Sequence, residues 1–534
     1  MVYSFFTKDP PLLQEINDNL RAFWEIENVS KVDEGRAPLN ESDRKVLQNA
    51  RSSIKLVEDK YQVAIPWKGQ LYPEMANSSE IAEKRLMSTE NKLLKHPEIA
   101  KSYCQVIQQY QGKGFIKKIK QSEEDRDDEK KSHQWYLPHF PVLRPDKATT
   151  KTRIVFDASA KVAGDSLNDK INMEPKIQNE LFEVLLRFRR HPVAIVCDIA
   201  EMYLQITLEE EDKRYHRFLW RDLDRTRDPE IFEFQRLVFG INSSPFLAQL
   251  VSQEHARAHR KQYPRAAETI LKSTYMDDSL DSVNDDEEGK KLYRDLSALW
   301  KGAGMHARKW LSNSPEVLAI ITDEDRASEI NLEEGYLPSE KVLGVLWKAE
   351  EDAFAYQLTP PAADLKLTKR SLLRRIATIF DPLGLMSPYV IQGKIIMQDV
   401  WMCGVEWDEE LPEKIEKKAW DWIVEITELA RARIPRCLQR AEEMTGFQLH
   451  TFGDASKDAY GAVVYARSTY ASGMVATRIV ASKTKVAPLT SVGIPRLEMM
   501  AAVLRLQLSL SIVAALDNNV KEVNFWSDSQ NVLW

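Results

Sequence analysis

Two apolar segments that end in acidic side chains constrain the fold of this 534-residue chain more than any other feature. Residues 193–197 are wholly apolar and run directly into Asp198. Residues 271–283 predict a strand, a tight turn that holds Asp277 and Asp278, and a second strand. An adjacent pair of aspartates is ordinary turn chemistry when it stands alone. A buried strand that carries a third acid 79 residues earlier favours a single acidic site on a β-sheet.

Carboxylates this close repel one another, so such a site needs positive charge, and a divalent metal is the usual source. Magnesium takes oxygen ligands in near-octahedral geometry and is held by a few carboxylates together with substrate phosphates. Two such ions about 3.5–4 Å apart stabilise both the attacking and the leaving oxygen of a phosphoryl transfer. We therefore expect Asp198, Asp277 and Asp278 to be catalytic and to bind two Mg²⁺ ions, with Mn²⁺ as an alternative metal.

The composition is that of an intracellular protein with several domains. The four cysteines are far apart and include no Cys-x-x-Cys pair, which argues against a disulfide framework or a zinc site. The first residues contain no signal-peptide hydrophobic region, and nowhere do 18 apolar residues run together. The chain is therefore expected to be soluble and cytoplasmic, with no membrane partner.

The net charge of −7 is unusual for a protein that acts on nucleic acid, but the distribution of charge matters more than its sum. Acidic residues concentrate at 123–129 and 285–288, which predict exposed loops. Basic residues concentrate at 112–120, 147–153 and 187–190. These three basic segments flank the predicted acidic site and indicate a channel for a nucleic-acid template.

The apolar periodicity switches between helical and strand-like spacing, so we expect an α+β multidomain fold. Helices are predicted at 181–188, 245–259, 288–303, 368–380 and around 401–429. Strands are predicted at 136–143, 152–157, 232–238 and 344–347, and a strand pattern returns at Phe447. Residues 1–60 are predicted to be a charged helical linker, and residues 121–132 a flexible acidic insertion.

Four motifs around these acids resemble those of reverse transcriptases. They are Arg-Ile-Val-Phe-Asp-Ala-Ser-Ala at 153–160, Asp-Ile-Ala-Glu-Met-Tyr at 198–203, Phe-Gly-Ile-Asn-Ser-Ser-Pro-Phe-Leu-Ala-Gln at 239–249 and Gly-Met-His-Ala-Arg-Lys-Trp at 304–310. The resemblance implies a right-hand polymerase with fingers, palm and thumb, acting as an RNA-directed DNA polymerase on a primed RNA or DNA template with deoxynucleoside triphosphates. It also implies a nucleotide-binding set, which consists of Arg153, Tyr203, Phe239, Gly240, Pro245, Gln249, Tyr275, Met276 and Lys309.

The chemistry of these side chains suits the implied roles. The planar guanidinium of Arg153 binds phosphate oxygens bidentately and stays charged. The resemblance places the ring of Tyr203 under the sugar, where it would exclude a 2′-hydroxyl and select deoxynucleotides. Lys309 or its neighbour Arg308 would neutralise charge on the leaving pyrophosphate, and the sequence leaves both open.

The motif at 239–249 contains a glycine that allows close backbone approach, and it differs from retroviral enzymes at one residue. Gly240 lets the backbone approach the nucleotide and template closely, and Pro245 starts the following helix. Phe239 stands where retroviral enzymes often carry glutamine. The nucleotide contact at that position should therefore be apolar.

The residues of several further motifs narrow the resemblance to the BEL/Pao class of LTR retrotransposons. These motifs are Ser-Leu-Asn-Asp at 166–169, Leu-Leu-Arg-Phe-Arg at 185–189, Thr-Lys-Arg-Ser at 368–371, Phe-Asp-Pro-Leu-Gly-Leu at 380–385 and Gly-Asp-Ala-Ser-Lys-Asp-Ala-Tyr-Gly-Ala at 453–462. The resemblance implies fingers and palm at 61–310, a thumb and connection region at 311–446 and a ribonuclease H-like fragment at 447–534. It also implies other pieces of the retrotransposon polyprotein as partners, in the setting of a virus-like particle.

A second set of acids lies in the last of these regions. Asp454 ends a predicted strand, Glu498 stands on a predicted helix and Asp528 follows a later strand. Their order resembles that of the ribonuclease H carboxylates, which hold two metals. The family has a fourth acid further along, and the chain ends at Trp534, so we expect a truncated, loosely folded domain that cleaves RNA poorly or not at all.

Two other functions compete with the polymerase. A peptidase in the connection region would need Asp-Thr-Gly or Asp-Ser-Gly turns, His-Glu-x-x-His or a paired cysteine and histidine, and the sequence has neither triplet and no His-Glu-x-x-His. A co-opted protein that binds nucleic acid without catalysis is the other alternative. The three intact acids of the first site argue against it.

Overall fold

The computed structural model describes residues 40–533 apart from 70–71, 120–132, 144–151, 174, 328–336, 338, 363, 441, 491 and 517–519. The predictions for residues 1–39 and 121–132, and the basic residues 147–151, lie outside the described part of the chain. The α-helices are α1 Glu41–Ser53, α2 Ser79–Leu93, α3 Pro97–Gly112, α4 Leu181–Phe188, α5 Ser244–Ala258, α6 Pro264–Lys272, α7 Asp286–Gly302, α8 Pro315–Ala319, α9 Lys369–Ala377, α10 Ser387–Met402, α11 Glu413–Thr427, α12 Ile494–Ala515 and α13 Gln530–Leu533.

The strands of the described part alternate with these helices. They are β1 Lys55–Val57, β2 Lys60–Val63, β3 Ile116–Lys118, β4 His139–Leu143, β5 Thr152–Phe156, β6 Val193–Ile199, β7 Thr207–Leu208, β8 Arg217–Trp220, β9 Glu230–Phe234, β10 Thr274–Tyr275, β11 Asp278–Val283, β12 Ala307–Ser312, β13 Ser339–Val342, β14 Val345–Lys348, β15 Ala353–Ala355, β16 Ile434–Pro435, β17 Met444–Ala455, β18 Ala459–Tyr470, β19 Val475–Val486 and β20 Glu522–Trp526. Short 3₁₀ helices lie at Asn168–Lys170, Met202–Gln205, Glu210–His216 and Glu428–Arg431.

The palm is a four-stranded antiparallel sheet in the order β10-β11-β6-β12. Its central strand β6 is largely buried, because its run of valine, alanine, isoleucine and cysteine packs on both faces. Helices α6 and α7 contact β11, and α7 also contacts β6 and β12. This packing holds the acid-bearing ends of β6 and β11 on a rigid base.

The fingers contain the predicted hairpin of β4 and β5 and a second sheet in the order β3-β9-β8. The prediction that residues 1–60 are a helical linker is wrong beyond Ser53. The chain there forms the β1–β2 hairpin, whose turn residues Glu58 and Asp59 both have positive φ. Strand β2 then pairs with β7 near the palm, and this long-range pairing overrides the local charge pattern that indicated a linker.

Residues 311–446 combine a β-meander with a small helical unit. Strands β13, β14, β15 and β16 pair in that order, and helices α9, α10 and α11 pack around a hydrophobic core of their own. Helix α9 begins after Thr368, whose side chain makes a capping box with Ser371. Helix α9 covers most of the predicted helix 368–380, and α11 covers the second half of the predicted helix 401–429, whereas residues 403–412 are not helical.

The ribonuclease H-like region has a sheet in the order β19-β18-β17-β20, with helix α12 packed on β17 and β18. Its buried residues are continuous with the palm core. By length and composition alone α12 is long and apolar enough to cross a membrane. In the structure it lies on the sheet, and it carries the buried Arg505 and the charged Glu498, as a core helix of this region would.

Two fully buried arginines join the regions. Arg189 at the end of α4 donates to the carbonyl oxygens of Arg436 at 2.9 Å and Val480 at 2.5 Å. Arg436 in turn donates to the Asp352 carboxylate at 2.6 Å and to the Phe188 carbonyl oxygen. The palm, the meander and the ribonuclease H-like sheet are thus held by one hydrogen-bonded arginine pair.

Candidate active site

The palm acids come together through strand register. Asp278, the first residue of β11, lies directly opposite Asp198 on β6, so both side chains leave the sheet on the same face. Asp277 occupies the turn between β10 and β11, and its carbonyl oxygen accepts a hydrogen bond from the Ile199 N–H at 2.8 Å. The three residues predicted from the sequence therefore lie at one edge of the palm sheet.

The turn that carries Asp277 has an unusual backbone. Met276 has a φ of 57°, in the left-handed region that costs a non-glycine residue about 1 kcal/mol or more. The Gln249 side-chain amide lies 2.9 Å from the Met276 sulfur and holds the turn against helix α5. Tyr275 pairs with Asp278 on the next strand. Helix α5 and the palm hairpin thus fix the position of Asp277 together.

Charges of both signs act on the Asp277 carboxylate. Burial raises its pKa, and repulsion from the Asp198 carboxylate raises it further, while Arg153 and Lys309 act in the opposite direction. Arg153 lies on fingers strand β5 with an exposed side chain, so the fingers and the palm face each other across the site. A cation between the two acids would relieve the repulsion.

Lys309 reaches Asp198 through an irregularity in β12. The pairing of β12 with β6 shifts register between Arg308 and Leu311, and Lys309 has a φ of 52°. This bulge directs the Lys309 ammonium to 2.6 Å from Asp198 Oδ2, while the Arg308 Nε lies 3.8 Å from the same oxygen. Of the two residues that the sequence leaves open, Lys309 therefore makes the shorter contact with Asp198.

A pair of aromatic rings lies beside the acids. Tyr203, in a 3₁₀ helix just after β6, is 8% exposed, and its ring centroid is 4.4 Å from that of Phe239. Phe239 itself is 47% exposed. Burial raises the pKa of Tyr203, and Asp277 adds to the effect. The two rings form an apolar wall near Asp277, whose charge acts on Tyr203.

A glycine is required at position 240 by the backbone conformation and by a close contact with strand β5. Its φ is +105°, and a Cβ atom at this position would lie 2.0 Å from the carbonyl oxygen of Phe156 on β5. Asn168, which the sequence analysis missed, donates from its amide to the Gly240 carbonyl oxygen at 3.1 Å and accepts from the Asn242 N–H at 3.0 Å. The buried side-chain amide of Asn168 therefore holds this loop in place. The one sequence signal for Asn168 is its position in the motif at 166–169, which resembles BEL/Pao elements.

Pro245 stands in the first turn of helix α5, as predicted, and Gln249 follows one turn later. This places Phe239, Gly240 and Gln249 on one continuous loop-and-helix segment between the fingers and the palm hairpin.

The second group of acids is the more tightly gathered. One carboxylate oxygen from each of Asp454, Glu498 and Asp528 lies within 4.8 Å of the other two. Among the described residues, these are the three acids whose carboxylates approach one another this closely. The palm acids are spread more widely. Burial raises the pKa of Glu498, and the Asp454 and Asp528 charges raise it further. Helix α12 and the ends of β17 and β20 thus converge on one exposed acidic site.

Two protein families match the chain over these two sites. Residues 147–309 match the reverse transcriptase (RNA-dependent DNA polymerase) family, and residues 368–529 match the Pao retrotransposon-like RNaseH-like domain. The chain contains a reverse transcriptase domain of a Pao-type retrotransposon. A solved structure of the foamy viral protease-reverse transcriptase dRH in complex with double-stranded DNA is similar, with a TM-score of 0.48 and 14% identity over 100% of this chain and 78% of that chain. No curated protein matches the chain.

These matches confirm the resemblance, the α+β polymerase fold with a ribonuclease H-like region, and the activity of an RNA-directed DNA polymerase. Reverse transcriptases use divalent metal ions and act on nucleic acid. The matched reverse transcriptase segment includes every predicted palm and nucleotide-binding residue, from Arg153 to Lys309. The Pao match includes Asp454, Glu498 and Asp528 and also helices α9 to α11.

Proposed function

We propose that the reverse transcriptase domain transfers deoxynucleotides to a primer 3′-hydroxyl at Asp198, Asp277 and Asp278, with two Mg²⁺ ions. The observation that carries this proposal is the register that sets Asp278 opposite Asp198 at the edge of a buried sheet. The donors are carboxylate oxygens, which are the ligands that Mg²⁺ takes in proteins. Burial and then the Asp198 carboxylate raise the pKa of Asp277, and bound cations would offset both effects.

When bound, the ions would stabilise charge on the attacking and leaving oxygens. The side chains of the protein position the substrate. Arg153, exposed on β5, faces the site from the fingers and would bind the triphosphate through its fork of N–H groups. Lys309 would exchange its contact with Asp198 for the leaving pyrophosphate. The chemistry then needs little more than positioning and charge stabilisation, as in other phosphoryl transfers.

The wall of Tyr203 and Phe239 supports a choice of deoxynucleotides. A buried ring in contact with a second ring cannot move away without losing that contact, so a ribose 2′-hydroxyl would meet a rigid surface. Phe239 offers no hydrogen bond to the nucleotide. We propose that discrimination against ribonucleotides rests on Tyr203 and is reinforced by Phe239.

The first test is extension of a DNA primer on an RNA template, with Mg²⁺ and deoxynucleotides, by the native chain and by Asp277→Asn. We expect extension by the native chain and a loss of at least 10³-fold in the variant, because one removed charge-stabilising group costs roughly 10²–10³ in rate and a metal ligand costs more. Asp228→Asn is the matched control, since Asp228 is exposed in a fingers loop.

The proposal fails if a folded native chain does not extend the primer, or if Asp277→Asn extends it as well as Asp228→Asn does. Binding of an RNA–DNA hybrid without primer extension would favour the alternative of a co-opted protein that binds nucleic acid without catalysis. A native chain that is more active with Mn²⁺ than with Mg²⁺ would correct the metal but leave the ligands in place.

A second activity is supported by the close approach of Asp454, Glu498 and Asp528. Three carboxylates within 4.8 Å of one another are suited to a divalent metal, which would offset the burial and the neighbouring charges that raise the pKa of Glu498. Cleavage of RNA by this group stays a prediction of weak activity. Release of labelled RNA from an RNA–DNA hybrid at a rate near that of primer extension would contradict it.

We further propose a primed RNA or DNA template, deoxynucleoside triphosphates and other parts of the retrotransposon polyprotein as partners. The polymerase activity requires the first two, and the Pao match supports the third. A cytoplasmic location stays a prediction, which fractionation of cells that express the chain would test.

A further inference from the structure

Arg505 is a buried cation on helix α12 in the ribonuclease H-like region, and it is 7% exposed. Burial alone lowers the pKa of its guanidinium, and no carboxylate of the described residues offsets that effect. Its Nε–H is also buried and, within the described part of the chain, has no hydrogen-bond partner. A cation in such surroundings is costly, and an apolar side chain of similar volume is often at least as stabilising. The contacts of Arg505 therefore indicate a role other than stability alone.

We propose that Arg505 is a positioning residue for the acidic site formed by Asp454, Glu498 and Asp528. The inference rests on the second activity proposed above, in which these acids bind a divalent metal. Arg505 joins the three elements that carry the acids, because it stands on α12 and contacts β17 and β20. Residues that orient metal ligands without touching the metal commonly change metal affinity by about 10–100-fold.

The stem of Arg505 holds helix α12 against strand β17. Arg505 stands two helical turns after Glu498, so both side chains leave the same side of the helix. A Cβ atom at Gly453 would lie 3.4 Å from Arg505 Cδ and 3.5 Å from Arg505 Cβ. The arginine stem therefore packs on the backbone of the residue before Asp454. The glycine allows this close approach and so links the spacing of the first two acids to Arg505.

The guanidinium of Arg505 fixes the end of strand β20. It donates a hydrogen bond to the Trp526 carbonyl oxygen, and it lies over the Phe525 ring with 5.4 Å between the guanidinium carbon and the ring centroid. Strand β20 is the last strand of its sheet, and its pairing with β17 ends at Trp526. Asp528 lies two residues beyond this last pair, outside the sheet. Arg505 therefore holds the last paired residue before the third acid.

The alternative is that Arg505 only stabilises the fold of this region. Tb³⁺ binding to the full chain distinguishes the two cases. This ion takes oxygen ligands and emits light when a nearby tryptophan absorbs, and Trp526 lies two residues before Asp528. The part of the emission that is lost in Asp528→Asn belongs to the three-acid site. We expect Arg505→Met to weaken this Asp528-dependent binding at least tenfold, because the hydrogen bond to the Trp526 carbonyl oxygen is lost.

The conservative variant and two controls separate positioning from stability. Arg505→Lys keeps a donor and should weaken Tb³⁺ binding only about threefold. Leu508→Ala removes a buried apolar side chain from the same helix. Arg467→Met removes an arginine that lies opposite Gln448 on β17, about 20 Å along the strand from the acidic end. Both controls should bind Tb³⁺ within twofold of the native chain.

Unchanged Tb³⁺ affinity in Arg505→Met would overturn the proposal, and so would an equal loss in Leu508→Ala. If Arg505→Met does not fold, as judged by circular dichroism, the comparison of Arg505→Lys with the two controls still decides.

Hydrogen exchange separates failure of this inference from failure of the metal site. Without added metal, the amides of residues 522–528 should exchange at least tenfold faster in Arg505→Met than in the native chain, with Arg505→Lys between the two. A native chain without Asp528-dependent Tb³⁺ emission would refute the metal site, and the exchange rates would then decide whether Arg505 positions the end of β20. Native exchange rates in Arg505→Met would overturn the inference.

Discussion

Gly240→Ala provides a sharp test of how the fingers and the proposed nucleotide-binding loop fit together. The added Cβ would lie 2.0 Å from the Phe156 carbonyl oxygen, well inside van der Waals contact, and the neighbour is backbone and cannot rotate away. A φ of +105° adds strain of about 1–2 kcal/mol for any residue with a Cβ. Overpacking typically costs about 1–3 kcal/mol more. We expect a loss of about 2–5 kcal/mol in the free energy of unfolding of this region.

Gly164→Ala is the matched control. Gly164 has a φ of +95°, but a Cβ there would meet nothing within 4 Å, so only the strain of about 1–2 kcal/mol applies. The difference between the two variants isolates the clash with Phe156. Urea unfolding followed by tryptophan fluorescence gives the stabilities, and primer extension gives kcat/KM for a deoxynucleotide.

Gly240→Ala should also reduce kcat/KM, because the loop that carries Phe239 must move away from β5, while Gly164→Ala should leave it nearly unchanged. Equal losses of stability in the two variants would refute the contact with Phe156. Unchanged nucleotide kinetics in Gly240→Ala would refute the placement of this loop at the substrate.

Three further predictions concern other parts of the molecule. Lys309→Met should change stability by less than about 1 kcal/mol, because its ion pair with Asp198 is partly exposed, but should lower kcat at least tenfold in single-nucleotide extension, with partial recovery in Lys309→Arg. Tyr203→Ala should increase the use of ribonucleotides at least tenfold relative to deoxynucleotides in competition assays, and Phe239→Ala should increase it less. An unchanged preference in both variants would show that the two rings do not select the sugar. Burial lowers the pKa of His139 to about 4, so the unfolded chain binds a proton between pH 6.5 and 4 that the folded chain does not, and stability should fall as pH falls through this window. His139→Gln should remove about 3 kcal/mol of that dependence in urea unfolding curves, and an unchanged pH profile would contradict the buried neutral state.

The amino-acid sequence determines much of the palm by local rules. An apolar run that ends in Asp198, and a tight turn between two short strands at Asp277, indicate strands and an exposed acidic turn wherever they occur. The capping pair of Thr368 and Ser371 likewise marks the start of a helix without reference to the rest of the chain. These features depend on neighbours within a few residues.

Other features arise only from contacts between distant segments. The strand character of Lys55–Val57, the clamp of Asn168 on Gly240 and the buried pair of Arg189 and Arg436 have no local signature. The hydrogen bonds that the Ile65 and Trp67 N–H groups donate to Asp212 belong to the same class, because the donors and the acceptor are more than 140 residues apart in sequence.

The proposed catalytic centre shows most clearly which features depend on local sequence and which depend on tertiary structure. Local sequence determined which carboxylates are available and that each ends or precedes a strand, because turn chemistry and side-chain alternation act over two to four residues. Only the pairing of β11 with β6 decided that Asp278 faces Asp198, and only the bulge in β12 decided that Lys309 reaches the same carboxylate. Register is a long-range property, since a shift of one residue would turn each acid to the opposite face of the sheet.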